Sequence, residues 1–368
     1  MNFDFCFSPF FWPIGLIVRV RVLLPMGWLR IVGLCAMLEL AAAQPAWTQS
    51  VAESTDRVVL IREGTTTGET TIRKGLIVDW KGGSLTLSAN GRERDFDNDA
   101  ILEIQTSWPS TYLAGKRLLK SGDLSGAEQN LQAALQAESR PWARRIIRAD
   151  LVQIFSLRDQ PAAAIQQFLA ITSEDPQTRF FGACPLPWLV ASADLRTVAE
   201  PLLTSRDPVE QLIGASWLLA GPQREAATAR LDELSRDIDP NLQHLAIAQL
   251  WRLRSTNLKA LNPRVIRAWE KQIQAMPHPL RPGPWLIIAD AQTRLGDHDS
   301  AIINMMRVPI LYSEQLGLSA AALYQTGTLL QNTGRSEEAK TTFAELQQKF
   351  PTSVWGQAVS MSGGVGLR

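Results

Sequence analysis

The hydrophobic pattern changes its period once, near residue 107, and this change constrains the fold more than any other feature of the sequence. Between residues 56 and 106, short runs such as Leu85-Thr-Leu87 alternate apolar and polar residues, which is typical of half-buried strands. From residue 108 onward, apolar residues recur with the helical period of about 3.6. The sequence therefore predicts a small β-domain followed by a long helical segment.

The β-rich part, residues 50–107, is rich in tight-turn patterns. Asn90-Gly91 favours a two-residue hairpin because both residues tolerate a positive φ, and Gly64–Gly68 and Lys81-Gly-Gly83 predict further turns. We expect four or five short antiparallel strands, the last near residues 100–104. The pattern is loosely similar to Sm-like or SH3-like barrels, and this similarity implies no function.

The helical segment contains similar pairs of helices. Gly122-Asp123 interrupts one apolar run, because glycine accepts the left-handed conformation that ends a helix, and Ala127 then offers a small residue for packing against the first helix. Gly296-Asp297, followed by Ala301, repeats this arrangement. Repeating units of this kind predict an elongated array in which each pair buries its apolar face against its neighbours.

These helix pairs resemble tetratricopeptide repeats, and the packing alanines recur at a spacing slightly longer than the about 34 residues of that family. The end of the array, from Phe343 to Ala358, is also similar to repeats of bacterial envelope-assembly proteins. The positions that carry the family resemblance are Gly115, Leu118, Ala127, Leu131 and Ala134, then Val152, Phe155, Ala164, Phe168, Ile171 and Pro176, then Ala289, Gly296, Ala301 and Met305, and finally Leu323, Gly327, Leu330, Gly334, Ala339, Phe343, Leu346 and Pro351.

The predicted fold class is mainly α: a tetratricopeptide-like α-α superhelix, or solenoid, preceded by a small antiparallel β-barrel-like domain. The repeats are clearest in residues 108–177 and 285–358, and residues 359–368 are expected to form a flexible tail.

The middle, residues 178–284, is interpreted as degenerate repeats of HEAT-like and tetratricopeptide-like character that keep one solenoid continuous. The alternative is two short arrays joined by an irregular helical insert. Four prolines are expected at helix starts or inter-helix turns: Pro201, Pro222, Pro240 and Pro263.

Residues 1–49 are interpreted as a signal peptide and linker. A basic stretch from Met26 to Arg30, an apolar core and the small residues ending at Ala43 are typical of a cleaved export signal, with Met26 as the true start of the chain. Glu39 departs from the ideal pattern, so an uncleaved membrane anchor is the alternative. The expected location is the periplasm or the exterior of the cell.

Composition and charge narrow the classes of partner. The net charge of +1 offers no electrostatic reason to expect nucleic acid as the main partner.

Cys6 and Cys35 lie in the leader, which leaves Cys184 as the single thiol of the body, interpreted as a buried structural residue. A lone thiol cannot form an intrachain disulfide within the body, so a packed core must hold this part of the fold.

No catalytic motif, metal site or cofactor site is predicted. The three histidines, His244, His278 and His298, lie far apart in the sequence, and the usual hydrolase, dinucleotide and P-loop patterns are missing. The series Asp95-Phe-Asp97-Asn-Asp99 begins like a calcium loop, but Ala100 stands where glycine is required. We interpret it as a solvated turn between strands.

The tetratricopeptide resemblance implies a concave groove, lined by the first helix of each pair, that binds a protein or peptide. The predicted groove mixes both charges and lacks the lysine and asparagine set with which some family members clamp a terminal carboxylate. The residues that the motif places toward this groove are Lys116, Lys120, Gln153, Asp290, Arg294, Tyr324, Gln331 and Asn332.

The leading hypothesis is an exported, non-enzymatic scaffold that binds protein partners through this groove, with a role in cell-envelope assembly. It predicts no nucleic acid and no soluble cofactor, and contact with a membrane only through an uncleaved leader. One alternative is a self-assembling structural protein. The other is a hydrolase or carbohydrate-binding protein with its site between the β-domain and the repeats.

Overall fold

The structure, a computed structural model, describes residues 56–61, 70–189 and 195–363. The predicted leader with Met26 and Ala43, the turn predicted at Gly64–Gly68 and the last five residues of the chain lie outside these ranges.

The β-domain is one antiparallel sheet of five strands in the order β4-β3-β2-β1-β5. Asn90 and Gly91, both with positive φ, form the predicted hairpin between the third and fourth strands. The sheet is open, so the barrel-like description applies only loosely. The strands are β1 (Asp56–Ile61), β2 (Thr70–Lys81), β3 (Ser84–Ala89), β4 (Arg92–Asp97) and β5 (Ile101–Gln105).

Fourteen helices follow in the described part of the chain, and none of them combines the length and the apolar character needed to cross a bilayer. They are α1 (Ser110–Ser121), α2 (Leu124–Ala137), α3 (Pro141–Leu157), α4 (Pro161–Glu174), α5 (Arg196–Leu203), α6 (Pro208–Leu218), α7 (Arg224–Leu234), α8 (Pro240–Ser255), α9 (Pro263–Ala275), α10 (Pro282–Arg294), α11 (His298–Leu311), α12 (Leu316–Asn332), α13 (Ser336–Lys349) and α14 (Val354–Gly363). The last of these, α14, extends into the segment predicted to be a flexible tail.

The β-domain shares its core with the helices. Val58, Leu85 and Leu87 alternate toward the inner face of the sheet, as the period of two requires, and α3 covers them with Trp142 and Ala143. All of these side chains are buried. The sheet therefore packs directly onto the second helix pair.

The α1–α2 pair shows how the sequence forms a repeat. Gly122 ends α1 with a φ of 82°, a conformation that a residue with a Cβ adopts only at a cost, and Asp123 caps α2 by accepting a hydrogen bond from the Gly126 amide. Ala127 is fully buried in the seam between the helices, where Leu131 packs against Gly115. The Gly-Asp pair and the small residues thus act as the sequence predicted.

In the middle of the chain, Pro208, Pro240 and Pro263 occupy the first turns of α6, α8 and α9. Pro222 lies between α6 and α7. Pro201 departs from the prediction, because it lies inside α5 rather than at a helix start or in a turn. The helix is short, so this proline removes only one potential backbone donor.

The array closes on itself, since α12 packs against α3. The Gln153 side chain of α3 donates to the Gln315 side chain at 3.2 Å and accepts from the Leu316 amide at 3.0 Å. The α13–α14 turn meets the α1–α2 turn, where Thr352 donates to the Gly122 carbonyl and Pro351 packs against Gly122. An open concave groove running along all the helix pairs is therefore interrupted.

Candidate functional site

The closure of the array leaves a cavity of about 980 Å³ between the first helix pair and the last. Its walls come from α1 and the first residue of α2, the end of α3, the end of α11 and the start of α12, and the end of α13 with the turn that follows. Seven of the lining residues are apolar: Leu113, Leu119, Leu124, Leu157, Pro309, Leu316 and Phe350. A volume of this size lies near the upper end of the range for small-molecule and cofactor pockets.

Four cationic side chains surround this apolar lining, and no acidic residue is among the described residues that line it. Lys116, Arg117 and Lys120 lie on α1, and Lys349 lies at the end of α13. We call this cavity the basic cleft. Three of its four positive charges lie on α1, and the end of α13 adds the fourth.

A short hydrogen-bond chain holds one of these cations in place. The ammonium group of Lys116 lies 2.6 Å from Asp150 Oδ1, and the Tyr112 hydroxyl donates to Asp150 Oδ2 at 3.1 Å. Burial, reinforced by the charge of Asp150, raises the pKa of the Tyr112 phenol, so the phenol stays protonated and continues to donate. Lys116 is therefore preorganised, and part of its charge is already neutralised.

The other cations of the basic cleft differ in their pairing. Lys349 forms an ion pair with Glu345, one turn earlier on α13, at 2.6 Å. Arg117 and Lys120 form no ion pair with any residue in the described ranges. Lys120 lies one helical turn after Lys116, so the two ammonium groups share one face of α1. Arg117 and Lys120 are the positive charges of the cleft that are available to a ligand.

One polar group in the wall of the cleft has no partner. Ser319 is only 1% exposed, and its hydroxyl makes no hydrogen bond to any described residue. Buried hydroxyl groups are normally paired, because leaving one unpaired costs free energy. Because the oxygen itself exposes less than 1 Å² of surface, it lies behind the surface of the cleft, out of reach of a ligand.

The last two long helices, which form one side of the closed array, carry a recognisable repeat. Residues 321–353 match the family described as tetratricopeptide repeat. Within this stretch Gly327 of α12 packs against the ring of Phe343 in α13, and Ala339 is buried. The chain carries a tetratricopeptide repeat. For residues 321–353 the resemblance predicted from the sequence is confirmed. No curated protein shows significant similarity to the chain.

The structure brings two of the eight predicted groove residues into one cavity. Lys116 and Lys120 both line the basic cleft. Asp290 and Arg294 instead pair with each other at 2.7 Å beside a separate cavity of about 230 Å³. The tetratricopeptide pattern placed each of these residues on the first helix of a pair, but the closed array separates them.

The remaining predicted groove residues have other surroundings. Gln153 holds α3 to α12 through its two hydrogen bonds, so its polar group is already used within the chain. Tyr324 packs against Phe343 and Trp355, with ring centroids 6.3 and 5.2 Å apart. Gln331 and Asn332 are exposed at the end of α12.

Most lining residues were not predicted from the sequence, among them Leu113, Arg117 and Lys349. Lys349 and Phe350 end the C-terminal tetratricopeptide repeat, while Leu113 and Arg117 belong to the first pair. No sequence pattern within a single repeat indicates that the first helix pair meets the end of the C-terminal repeat.

The other candidate residues are distributed over the molecule. Asp95 and Asp97 lie in strand β4 rather than in a turn, and Asp95 accepts a hydrogen bond from Thr86. No group of three or more possible metal ligands occurs among the described residues. The His278 ring packs against the Tyr312 ring in a tilted arrangement, with ring centroids 4.6 Å apart. His298 is the first residue of α11.

Cys184 is buried and unpaired as a free thiol. Burial raises the pKa of this thiol well above its usual value, which disfavours the reactive thiolate. Its environment is therefore that of a structural residue packed within the helical core.

Proposed function

We propose that this chain is an exported, non-catalytic scaffold that holds a partner protein in the basic cleft. A tetratricopeptide repeat indicates a role in protein–protein interaction. The chain would act in the cell envelope, where the leader pattern of residues 1–49 directs it.

The observation that carries the proposal is the basic cleft itself. Exposed apolar side chains surrounded by charges are typical of protein-binding surfaces, because burial of the apolar groups provides affinity and the charges provide orientation. Leu113 is half exposed at the cleft although its neighbour on the same helix, Tyr112, is buried. A bound partner would remove this apolar surface from water.

The non-catalytic part of the proposal rests on the way tetratricopeptide repeats usually act, which is to hold other molecules rather than to transform them. The export part rests on the leader pattern. Cell fractionation and N-terminal sequencing of the mature chain would test it: we expect a new N-terminus after Ala43. Retention of the mature chain in the cytoplasm would contradict export.

Site-specific photo-crosslinking tests the cleft directly. In the full-length chain, expressed in its native cell, a photoreactive amino acid replaces Leu113. The matched control chain carries the same amino acid in place of Ile238, which is fully exposed in the loop before α8. We expect a discrete protein adduct from position 113 that position 238 does not form. The adduct should weaken when Lys120→Glu is added.

Equal labelling at the two positions, or no protein adduct at position 113, would contradict the proposal. Circular dichroism and thermal melting of the Lys120→Glu chain provide the control for folding. Lys120 is exposed and makes no ion pair with a described residue, but it lies in the last turn of α1, where the helix dipole favours a cation, so we expect Lys120→Glu to lower stability by about 1 kcal/mol.

A further inference from the structure

We infer that the basic cleft recognises a short acidic, amphipathic segment of its partner, with apolar side chains on one face and carboxylates beside them. This inference rests on the proposed function and specifies the chemistry of the partner. Three properties of the cleft lead to it: the distribution of its apolar residues, the position of its charges and the polar groups between them.

The apolar residues of the cleft lie on separate elements. Leu113 and Leu119 belong to α1, Leu157 ends α3, Leu316 begins α12 and Phe350 follows α13. A surface composed of side chains from several elements is matched by a ligand that presents several apolar side chains at different points. An amphipathic helix does this with residues spaced three and four apart.

The charges of the cleft lie on two of its walls. Arg117 and Lys120, the two cations without an ion-pair partner among the described residues, are on α1, and Lys349 is on α13. Lys116 adds to the α1 wall even though Asp150 shares its charge. A ligand with carboxylates along its length complements both walls, whereas a cationic ligand is repelled.

Polar groups between the apolar residues favour a peptide over an acyl chain. The cleft is open to solvent, and its lining includes the polar residues Ser313 and Gln348. A peptide backbone can hydrogen-bond to such residues, whereas an acyl chain cannot.

The experiment selects peptides from a displayed library of random 12-residue sequences. The target is the protein purified from cells that express the full-length chain, and binders are counter-selected on the bare support; the selected peptides are then titrated into the Arg117→Glu/Lys120→Glu variant. The matched control is Lys259→Glu/Arg264→Glu, which reverses two exposed cations around the start of α9, outside the residues that line the cleft. A fluorescent fatty acid is titrated in parallel into all three proteins.

We expect the enriched peptides to combine Asp or Glu with Leu, Ile or Phe at helical spacing. Their affinity should fall about tenfold or more in the α1 double variant and stay unchanged in the control variant. Each variant is first shown to fold by circular dichroism and thermal melting.

The inference is overturned if the enriched peptides are basic or uncharged, if none is enriched, or if they bind both double variants equally. It is also overturned if the fatty acid alone binds in a charge-dependent way. Crosslinking at position 113 keeps the two proposals distinct: a protein adduct there, together with non-acidic peptides, would contradict only the chemistry inferred for the partner. Failure of both experiments would remove the proposed function as well.

Discussion

At the scale of single residues, one buried ion pair connects the β-domain to the helices. Glu138, which is 6% exposed, accepts three hydrogen bonds from Arg140, at 2.7 to 3.0 Å. Arg140 also donates to Thr106 and to the Ser107 carbonyl, beside the end of the sheet. Burial by itself raises the pKa of Glu138, but the hydrogen bonds and the charge of Arg140 outweigh it, so that the pKa is lowered.

Replacing this carboxylate should have a pH-dependent cost. Because the pKa of Glu138 is lower in the folded chain than its usual value of 4.5, the carboxylate stabilises the fold above that pH, and this contribution disappears as the pH falls through the folded-state pKa. We expect Glu138→Gln to lower the free energy of unfolding at pH 7 by about 1–3 kcal/mol. The difference in free energy of unfolding between the parent and Glu138→Gln should shrink below about pH 4.

Urea denaturation of both proteins between pH 3 and pH 7 measures this effect, and Glu225→Gln, at an exposed position of α7, is the control. If the free energies of unfolding of the parent and Glu138→Gln differ by the same amount at every pH, the charge of Glu138 does not stabilise the fold.

At the scale of elements, the repeats depend on small residues that let two helices approach closely. In the matched repeat, a Cβ added at Gly327 of α12 would lie 2.4 Å from the Phe343 ring of α13, well inside van der Waals contact. Gly327 and Phe343 are both among the positions that carry the tetratricopeptide resemblance in the sequence. The packing of one helix pair is local, so the motif contains the information for it.

Gly327→Ala should therefore destabilise the array. We expect a loss of about 1–3 kcal/mol in the free energy of unfolding, because the new methyl group collides with an aromatic ring that neighbouring side chains hold in place. The second variant, Gly327→Ala/Phe343→Leu, makes room for the methyl group, so the two substitutions should cost less together than the sum of their separate effects. If chemical denaturation shows that the stability losses of the two single substitutions add exactly in the double variant, these two residues do not limit the approach of α12 to α13.

At the scale of the whole molecule, the decisive feature is that the array closes. Gln153 and Gln315 are separated by 162 positions in the sequence, yet their side chains share a hydrogen bond. This contact and the one between Gly122 and Pro351 convert a series of helix pairs into a closed arrangement with the basic cleft at the junction.

Removing the Gln153 side chain should loosen this junction. In Gln153→Ala the Leu316 amide loses its acceptor, so we expect faster hydrogen exchange at the start of α12 and a loss of about 1–2 kcal/mol in stability. The control is Gln136→Ala, at an exposed position of α2. Unchanged exchange at Leu316 would indicate that packing alone, rather than this hydrogen bond, holds α3 to α12.

Much of the fold follows from local patterns. The Asn90-Gly91 hairpin and the Gly122-Asp123 helix boundary depend on backbone preferences of residues that are neighbours in the chain. Pro201 shows the limit of such rules. A proline usually marks a helix boundary, but at Pro201 the surrounding packing favours a helix that continues past it.

The sequence by itself determined the two structural classes, the Asn90-Gly91 and Gly122-Asp123 turns, the helix pairs and the repeat, because each depends on residues a few positions apart. It also placed Lys116 and Lys120 among the candidate binding residues. Only the tertiary structure decided that Asp290 and Arg294 lie elsewhere, and that Arg117, Lys349 and Phe350 complete the site. The reason is physical: the cleft exists where the first and last helix pairs meet, and that meeting depends on small rotations accumulated over every intervening helix contact.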